Sequence, residues 1–231
     1  MVYNDWRQSG LLRCILCGGG AEPRFGVCEG CARDLLLIET ACRTCAMPLP
    51  PAPAGRSRQC PSCLSRPPAC TATRCAWHYG FPVSQLIQHF KYEGDLAAGH
   101  SLATLAAETL ADMAGSLDLL IPIPLHWRRY WQRGFNQAQL VAETLGNAWQ
   151  LPVLTRGLRK CHASERQQSL DKKQRLRNLS GSFAVRAAVE GRRVGLVDDV
   201  ITTGATMEAA AGALLEAGAA QISAIALART P

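Results

Sequence analysis

The sequence predicts an α/β protein: a parallel sheet flanked by helices, with a small cysteine-stapled module ahead of it. Three observations carry that expectation. Four CxxC pairs crowd the first 63 residues. Short apolar runs at 119–124, 151–155, 193–197 and 221–228 alternate with helical patterns. The run Val194–Thr206 sets two acids and a Thr/Gly-rich loop where a buried strand becomes a helix.

At 231 residues, 48% of them hydrophobic, the chain has material for one large domain, or for a domain of ~150 residues beside a small module. The first residues carry Asp5, Arg7 and Arg13 without an apolar h-region, and no stretch reaches ~18 uncharged apolar residues. The expectation is a cytoplasmic protein with no membrane span. The formal net charge of +7 is concentrated: residues 126–177 hold eleven Lys or Arg against Glu143, Glu165 and Asp171, an excess of eight, and the rest is near neutral. Arg outnumbers Lys by 21 to 4, which suits forked phosphate recognition and suits a GC-rich coding bias equally well.

Eight of the eleven cysteines form the pairs Cys14/Cys17, Cys28/Cys31, Cys42/Cys45 and Cys60/Cys63. In a cytoplasmic chain such pairs point to metal before disulfides. Each pair is a knuckle offering two thiolates to one tetrahedral ion, so four pairs give two closed Zn²⁺ sites. Ten residues separate the first two knuckles and 14 the others. Sequential pairing is the simplest, and the spacing leaves a crossed pairing open. A single CxxC can be a dithiol catalyst, but four consecutive pairs with Gly and Pro between them are the pattern of zinc ribbons. Closed sites leave no open position for chemistry, and a segment of ~60 residues with few large apolar side chains needs such staples to fold. Cys70, Cys75 and Cys161 have no partner at ligand spacing and read as small buried hydrophobes.

Pro67, Pro68 and the Thr-rich stretch after them read as a connector. Leu86, Ile87 and Phe90 stand at helical spacing within 83–92, and 96–113 is a longer Ala/Leu-rich helix. Leu119–Pro124 is a buried strand ending in a proline-shaped turn. Phe135, Ala138, Val141, Ala142 and Leu145 mark an amphipathic helix. The basic excess falls in two connections. His126–Gln137 follows the first strand, so it lies at the carboxyl edge of the sheet, where such folds bind ligands. Within it, Arg133 before Gly134 offers a fork beside bare backbone, suited to a pyrophosphate. The second connection, Arg159–Asn178, is too polar to pack and reads as a mobile flap or a merely solvated loop.

The run from Val194 carries the chemistry. Val194–Val197 is a short apolar strand behind Arg192 and Arg193, and Met207–Ala217 is an Ala-rich helix stopped by Gly218. Between them Gly204 permits a sharp turn and the close approach of a ligand, and Thr206 can cap the helix. Free backbone N–H groups there, with the hydroxyls of Thr202, Thr203 and Thr206, make a phosphate cradle. Asp198 and Asp199 would repel a phosphate but accept hydrogen bonds from the two hydroxyls of a ribose. An ordinary strand–turn–helix, with Asp and Thr satisfying backbone groups, is the plain alternative.

The whole run resembles the phosphoribosyl-pyrophosphate (PRPP) motif of type I phosphoribosyltransferases: a hydrophobic strand, two acids, two variable positions, then Thr-Thr-Gly-x-Thr. That resemblance implies that Asp198 and Asp199 hold the ribose hydroxyls and that Thr202, Thr203, Gly204, Ala205 and Thr206 hold the 5′-phosphate. With the cysteine knuckles, Leu86-Ile87-x-x-Phe90-Lys91-Tyr92, Ile121-Pro-Ile-Pro124, Arg133-Gly-Phe-Asn-Gln137, and Gln167-x-x-Leu170 with Arg175, Asn178, Gly181 and Phe183, the chain resembles the ComF family over nearly its whole length. The resemblance implies a double zinc ribbon over 1–68, a phosphoribosyltransferase-like domain over 69–231, and a link to competence and to handling single-stranded DNA in the cytoplasm. It further implies Mg²⁺ bound with PRPP, and pyrophosphate contacts from Arg133, Gly134 and Lys91. Thr202 stands where some purine-salvage relatives carry a carboxylate that assists at the nucleobase, so no general base is evident.

Three functions follow as expectations. The first is a PRPP-binding protein, whether or not it transfers phosphoribose to a nucleobase-like acceptor. The second is a single-stranded DNA track, with Arg128, Arg129, Lys172, Lys173, Arg175 and Arg177 on phosphates and Trp127, Tyr130 and Trp131 either stacking bases or packing in the core. The third is a PRPP-sensing adaptor whose ribbons bind a protein partner of the DNA-uptake machinery.

Overall fold

Strands buried on both faces read as unbroken apolar runs, and that is how the sheet is built. The computed structural model describes residues 13–51, 58–125, 127–161 and 182–231. Four parallel strands lie in the order β1 (Ala72–His78), β6 (Gln221–Arg229), β5 (Arg193–Ile201) and β2 (Leu119–Pro122). A separate antiparallel ribbon pairs β3 (Leu158–Lys160) with β4 (Phe183–Val185).

Alternate strand residues feed two cores. On one side Leu120, Val197, Ile225 and Leu227 join α3 (Val83–Gln88), α4 (Leu96–Thr109) and α6 (Gln137–Trp149) through Leu86, Ile87, Leu102, Val141 and Leu145. On the other, Ile121, Leu196, Ile222 and Ala224 join α7 (Ala205–Glu216) through Met207, Ala210, Ala211 and Leu214. The neighbouring strands β2 and β5 therefore send their following helices to opposite faces, which opens a crevice at their carboxyl ends. At the other end Asp118 fixes the pair: its carboxylate accepts from the Arg193 backbone N–H at 2.8 Å and from the guanidinium at 2.6 and 3.1 Å. The Arg193 guanidinium holds the Asp118 carboxyl down at about 2.

The cysteine module holds α1 (Glu29–Arg33) and α2 (Pro61–Ser65), which begin at the second and fourth knuckles. Its two halves attach differently. The first reaches α4, through Arg24 to Glu108 at 2.6 Å and Ile15 and Leu16 against the core. The second clasps the sheet, with the Thr73 hydroxyl donating to the Thr44 carbonyl at 2.6 Å and the Thr73 N–H to the Arg43 carbonyl at 3.0 Å.

Several expectations change. The Thr-rich stretch read as a connector is the edge strand β1, buried at Thr73, Cys75, Ala76 and Trp77 because the cysteine module covers it. Residues 151–155 form no strand; Val153 makes one isolated bridge to Leu120. Part of the first basic connection is helical, α5 (Trp127–Arg133). The helix expected over 83–92 widens to a π turn at His89–Glu93, and the one over 96–113 ends at Thr109 in a 3₁₀ turn, Ala111–Ser116. Cys70 and Cys75 are buried as expected, at 4% and 5% exposure, and burial pushes both thiols up to about 12. Among the described residues, no helix is long and apolar enough to cross a membrane.

Candidate functional site

The Val194–Thr206 run ends β5 inside the crevice. Asp198 and Asp199 are its last acids, the second 7% exposed. The Asp199 N–H donates to an Asp198 carboxylate oxygen at 2.9 Å, and Lys91 Nζ meets Asp199 Oδ2 at 3.0 Å. Burial and the neighbouring Asp199 carboxylate push the Asp198 carboxyl up to about 8. Ionising an acid so placed calls for a further cation or hydrogen-bond donors beside it. The donor set is oxygen only, and that fits a hard ion such as Mg²⁺.

Past Ile201 the chain turns through exposed Thr202 and Thr203 to Gly204, whose φ of +78° a residue with Cβ adopts at a cost. Nothing stands within 4 Å of where a Gly204 Cβ would project, so the turn faces open space. α7 starts at Ala205. Thr206 does not cap it as expected: the N-cap is Gly204, and the Thr203 hydroxyl accepts from the Ala205 N–H at 3.4 Å. Thr202 and Thr206 stand exposed on the loop, and among the described residues their hydroxyls have no hydrogen-bond partner.

Opposite this loop, β2 leads through α5 to the Arg133–Gln137 segment. Gly134 has φ +79°, and Asn136 secures the turn: its side chain accepts from the Ala138 N–H at 3.1 Å and donates to the Ile123 carbonyl at 3.0 Å. Arg133 donates to the Gln137 side-chain oxygen at 3.2 Å and lies 5.1 Å over the Tyr92 ring. Gln137 is 2% exposed and, among the described residues, its Nε2 is buried without a hydrogen-bond partner. Buried amide donors are nearly always satisfied, so this side chain has a donor to spare.

These segments enclose a cavity of about 530 Å³ lined by Lys91, Arg133, Gln137, Lys160, Asp198, Asp199 and Thr206 among others. A second cavity of about 490 Å³ shares Lys91, Tyr92 and Arg133 with the first and adds Glu93, Gly94 and Gln132. The fold thus gathers Asp198, Asp199, Lys91, Arg133 and Thr206 around one space. Arg128 and Arg129 lie on α5, with side chains outside the described set, and Lys172, Lys173, Arg175 and Arg177 lie outside the described residues. Tyr130 and Trp131 are exposed, at 51% and 83%. Sequence reasoning assigned no role to Gln137 or to Arg229; the second stands out in the sequence only as a charge ending the apolar run 221–228.

The cysteines gather as sequential pairing expects, Cys14, Cys17, Cys28 and Cys31 in one group and Cys42, Cys45, Cys60 and Cys63 in the other. Sulfurs at about 2.3 Å from a tetrahedral Zn²⁺ stand about 3.8 Å apart. Here Cys17 and Cys28 are 3.8 Å apart, and Cys45 and Cys60 3.7 Å, far beyond a disulfide. Backbone N–H groups point at the sulfurs, Cys31 to Cys28 at 3.5 Å and Cys60 to Cys42 at 3.3 Å. Burial opposes ionisation of Cys14 and Cys42, and such N–H donors outweigh it, lowering both to about 6. Hydrogen bonds from neighbouring thiols push Cys31 up and burial pushes Cys45 and Cys63 up, so the fit to structural zinc rests on the four-sulfur geometry.

Residues 133–231 match the family model of the phosphoribosyl transferase domain, so the parallel sheet with its crevice at the carboxyl ends is a domain of phosphoribosyltransferase type. Relatives extend the likeness across the cysteine module. The chain is 33% identical over 219 residues to the DNA utilization protein YhgH of Salmonella typhimurium, covering 91% of this chain and 93% of that protein. It is 31% identical over 226 residues to competence protein F of Haemophilus influenzae, covering 94% and 96%. With competence protein ComFC of Bacillus subtilis it shares 29% over 233 residues, covering 97% and 89%. The chain belongs to the ComF family.

Proposed function

We propose that this protein binds PRPP, with Mg²⁺, in the β2/β5 crevice and works in handling single-stranded DNA. The observation that carries the reading is the joining of four features around one 530 Å³ space: the acid pair Asp198/Asp199, Thr206 at the end of the Thr/Gly loop, the cations Lys91, Arg133 and Lys160, and Gln137 with its unpartnered amide. Asp198 and Asp199 take the two ribose hydroxyls. Thr202, Thr203, Gly204, Ala205 and Thr206 take the 5′-phosphate through hydroxyls and N–H groups at the start of α7. Arg133, Gly134 and Lys91 take the pyrophosphate, and Lys91 is held for it by its ion pair with Asp199. Mg²⁺ bound with the ligand supplies positive charge to the pyrophosphate and relieves the crowded acids.

The second cavity suits an acceptor. Tyr92 is 74% exposed along it, Arg133 lies across the ring, and a flat base stacks on such a platform. The DNA reading draws on relatives named for DNA utilization and competence and on the local excess of cationic residues. A protein partner at the ribbons is compatible with it.

Titration calorimetry with PRPP and Mg²⁺ tests the pocket. Asp198→Ala/Asp199→Ala is expected to weaken binding by at least tenfold, at unchanged zinc content. Equal affinity in the two proteins sinks the reading.

A further inference from the structure

Arg229 is 4% exposed at the end of β6, and among the described residues every hydrogen bond its guanidinium makes runs to a backbone carbonyl. Its Nε donates to the carbonyl of Cys45 at 3.1 Å, inside the knuckle of the second four-cysteine group. Its Nη1 donates to the carbonyls of Ile201 at 3.2 Å, of Thr202, and of Thr230 at 2.6 Å. One side chain therefore ties the cysteine centre to the first residues of the phosphate loop.

Peptide geometry gives that tie a direction. A trans peptide sets its N–H opposite its C=O, so turning the Ile201 and Thr202 carbonyls inward to Arg229 turns the N–H groups of Thr202 and Thr203 away from it. Those are the donors that face the exposed side of the loop. The buried charge also lies directly beneath the loop and raises the potential felt by an anion there. Among the described residues the first four-cysteine group shows no hydrogen bond to the loop; Arg24 and Gly26 bring it against α4, at Glu108 and Ser101.

We propose that Arg229 is a positioning residue that couples the two sites: the Cys42/Cys45/Cys60/Cys63 centre, when it holds zinc, fixes the Cys45 carbonyl, and Arg229 transmits that order to residues 201–204, setting the loop for a phosphate. The second centre is then part of the ligand site, and the first is a staple only. Coupling of this kind is reciprocal, so ligand in the crevice also tightens zinc in the second centre and leaves the first unchanged.

The test uses the zinc-loaded chain and five variants. Zinc content is measured together with amide exchange at Glu208, bonded to the Gly204 carbonyl, and at Thr230, bonded to the Ile201 carbonyl. Cys60→Ser and Cys28→Ser are each expected to lower zinc from two to one. Only Cys60→Ser should speed exchange at these amides, by about tenfold, and weaken PRPP by a similar factor. Arg229→Met should do both at full zinc content, and adding Cys60→Ser to it should change exchange by less than twofold. Arg229→Lys keeps a buried cation but not the fork; it should hold its melting temperature close to wild type while exchange at Glu208 rises, which separates positioning from general support. Equal exchange in Cys60→Ser and Cys28→Ser overturns the proposal, as does wild-type exchange in Arg229→Lys, or a wild-type chain that takes up no second zinc. Affinity bears on it only through the PRPP reading above; if wild type binds no PRPP, that reading falls and exchange still decides the coupling.

Discussion

At neutral pH the Asp198 carboxyl, raised to about 8 by burial and by Asp199, is largely protonated in the ligand-free protein. Its ordinary value is 3.8, so between these two values the folded state binds the extra proton, and stability falls as pH rises from about 4 to about 8. Asp198→Asn removes the ionisation and keeps the oxygen that accepts the Asp199 N–H. We expect it to stabilise the ligand-free protein by about 2 kcal/mol near pH 8, with the gain shrinking toward pH 5.5, and to weaken PRPP binding. Thermal unfolding across pH 5.5–8.5 measures this, a range chosen to stay above the acid release of zinc from thiolates. A variant that tracks wild type at every pH shows that the acid pair is not strained. At this scale the sequence was informative where partners are adjacent: two acids, a Gly and three Thr lie within nine positions. Arg229 was not legible, because its meaning comes from Cys45, 184 positions away.

Among the elements, the π turn at His89–Glu93 is the one that aims a side chain into the crevice. It buries Phe90 at 0% exposure and leaves its neighbour Lys91 on Asp199. Phe90 packs on Phe135 with ring centroids 5.4 Å apart, so one aromatic pair braces both the Lys91 turn and the Arg133–Gln137 segment. Gly99 of α4 makes room for it: a Cβ there would stand 2.3 Å from the Phe90 ring. Gly99→Ala should therefore cost about 1–3 kcal/mol and weaken PRPP. Gly212→Ala, on α7 with open space around it, should gain about 0.5–1 kcal/mol and leave PRPP alone. Denaturant unfolding of the pair checks this, and like effects from both would contradict the packing account. The helical spacing of Leu86, Ile87 and Phe90 was legible; the widening of the turn was not, because packing against α4 rather than periodicity sets it. For the same reason 72–78 was misread: Thr and Arg in that stretch gave no apolar run, and its burial comes from the cysteine module laid over it.

Across the whole molecule, the parallel sheet flanked by helices was legible in the alternation of strands and helices. The cysteines were legible as two four-sulfur groups, and the fold chooses the sequential pairing from the two that the spacing left open. What could not be read is how the module sits on the domain. The first cluster leans on α4, and the second is bonded to the edge strand and, through Arg229, to the end of β5. The second half of the module is thereby bonded to the sheet that carries the crevice instead of trailing it as a separate surface. A phosphoribosyl transferase domain and a family linked to competence and DNA utilization meet in this chain at a crevice lined by Lys91, Arg133, Gln137 and Tyr92.

The most direct measurement is a crystal structure of the zinc-loaded protein with PRPP and Mg²⁺. The account predicts the ribose hydroxyls within hydrogen-bond distance of Asp198 and Asp199, the 5′-phosphate on the backbone and hydroxyls of 202–206, and the Gln137 amide donating to a ligand oxygen. PRPP bound elsewhere, or a phosphate seated away from that loop, would contradict it.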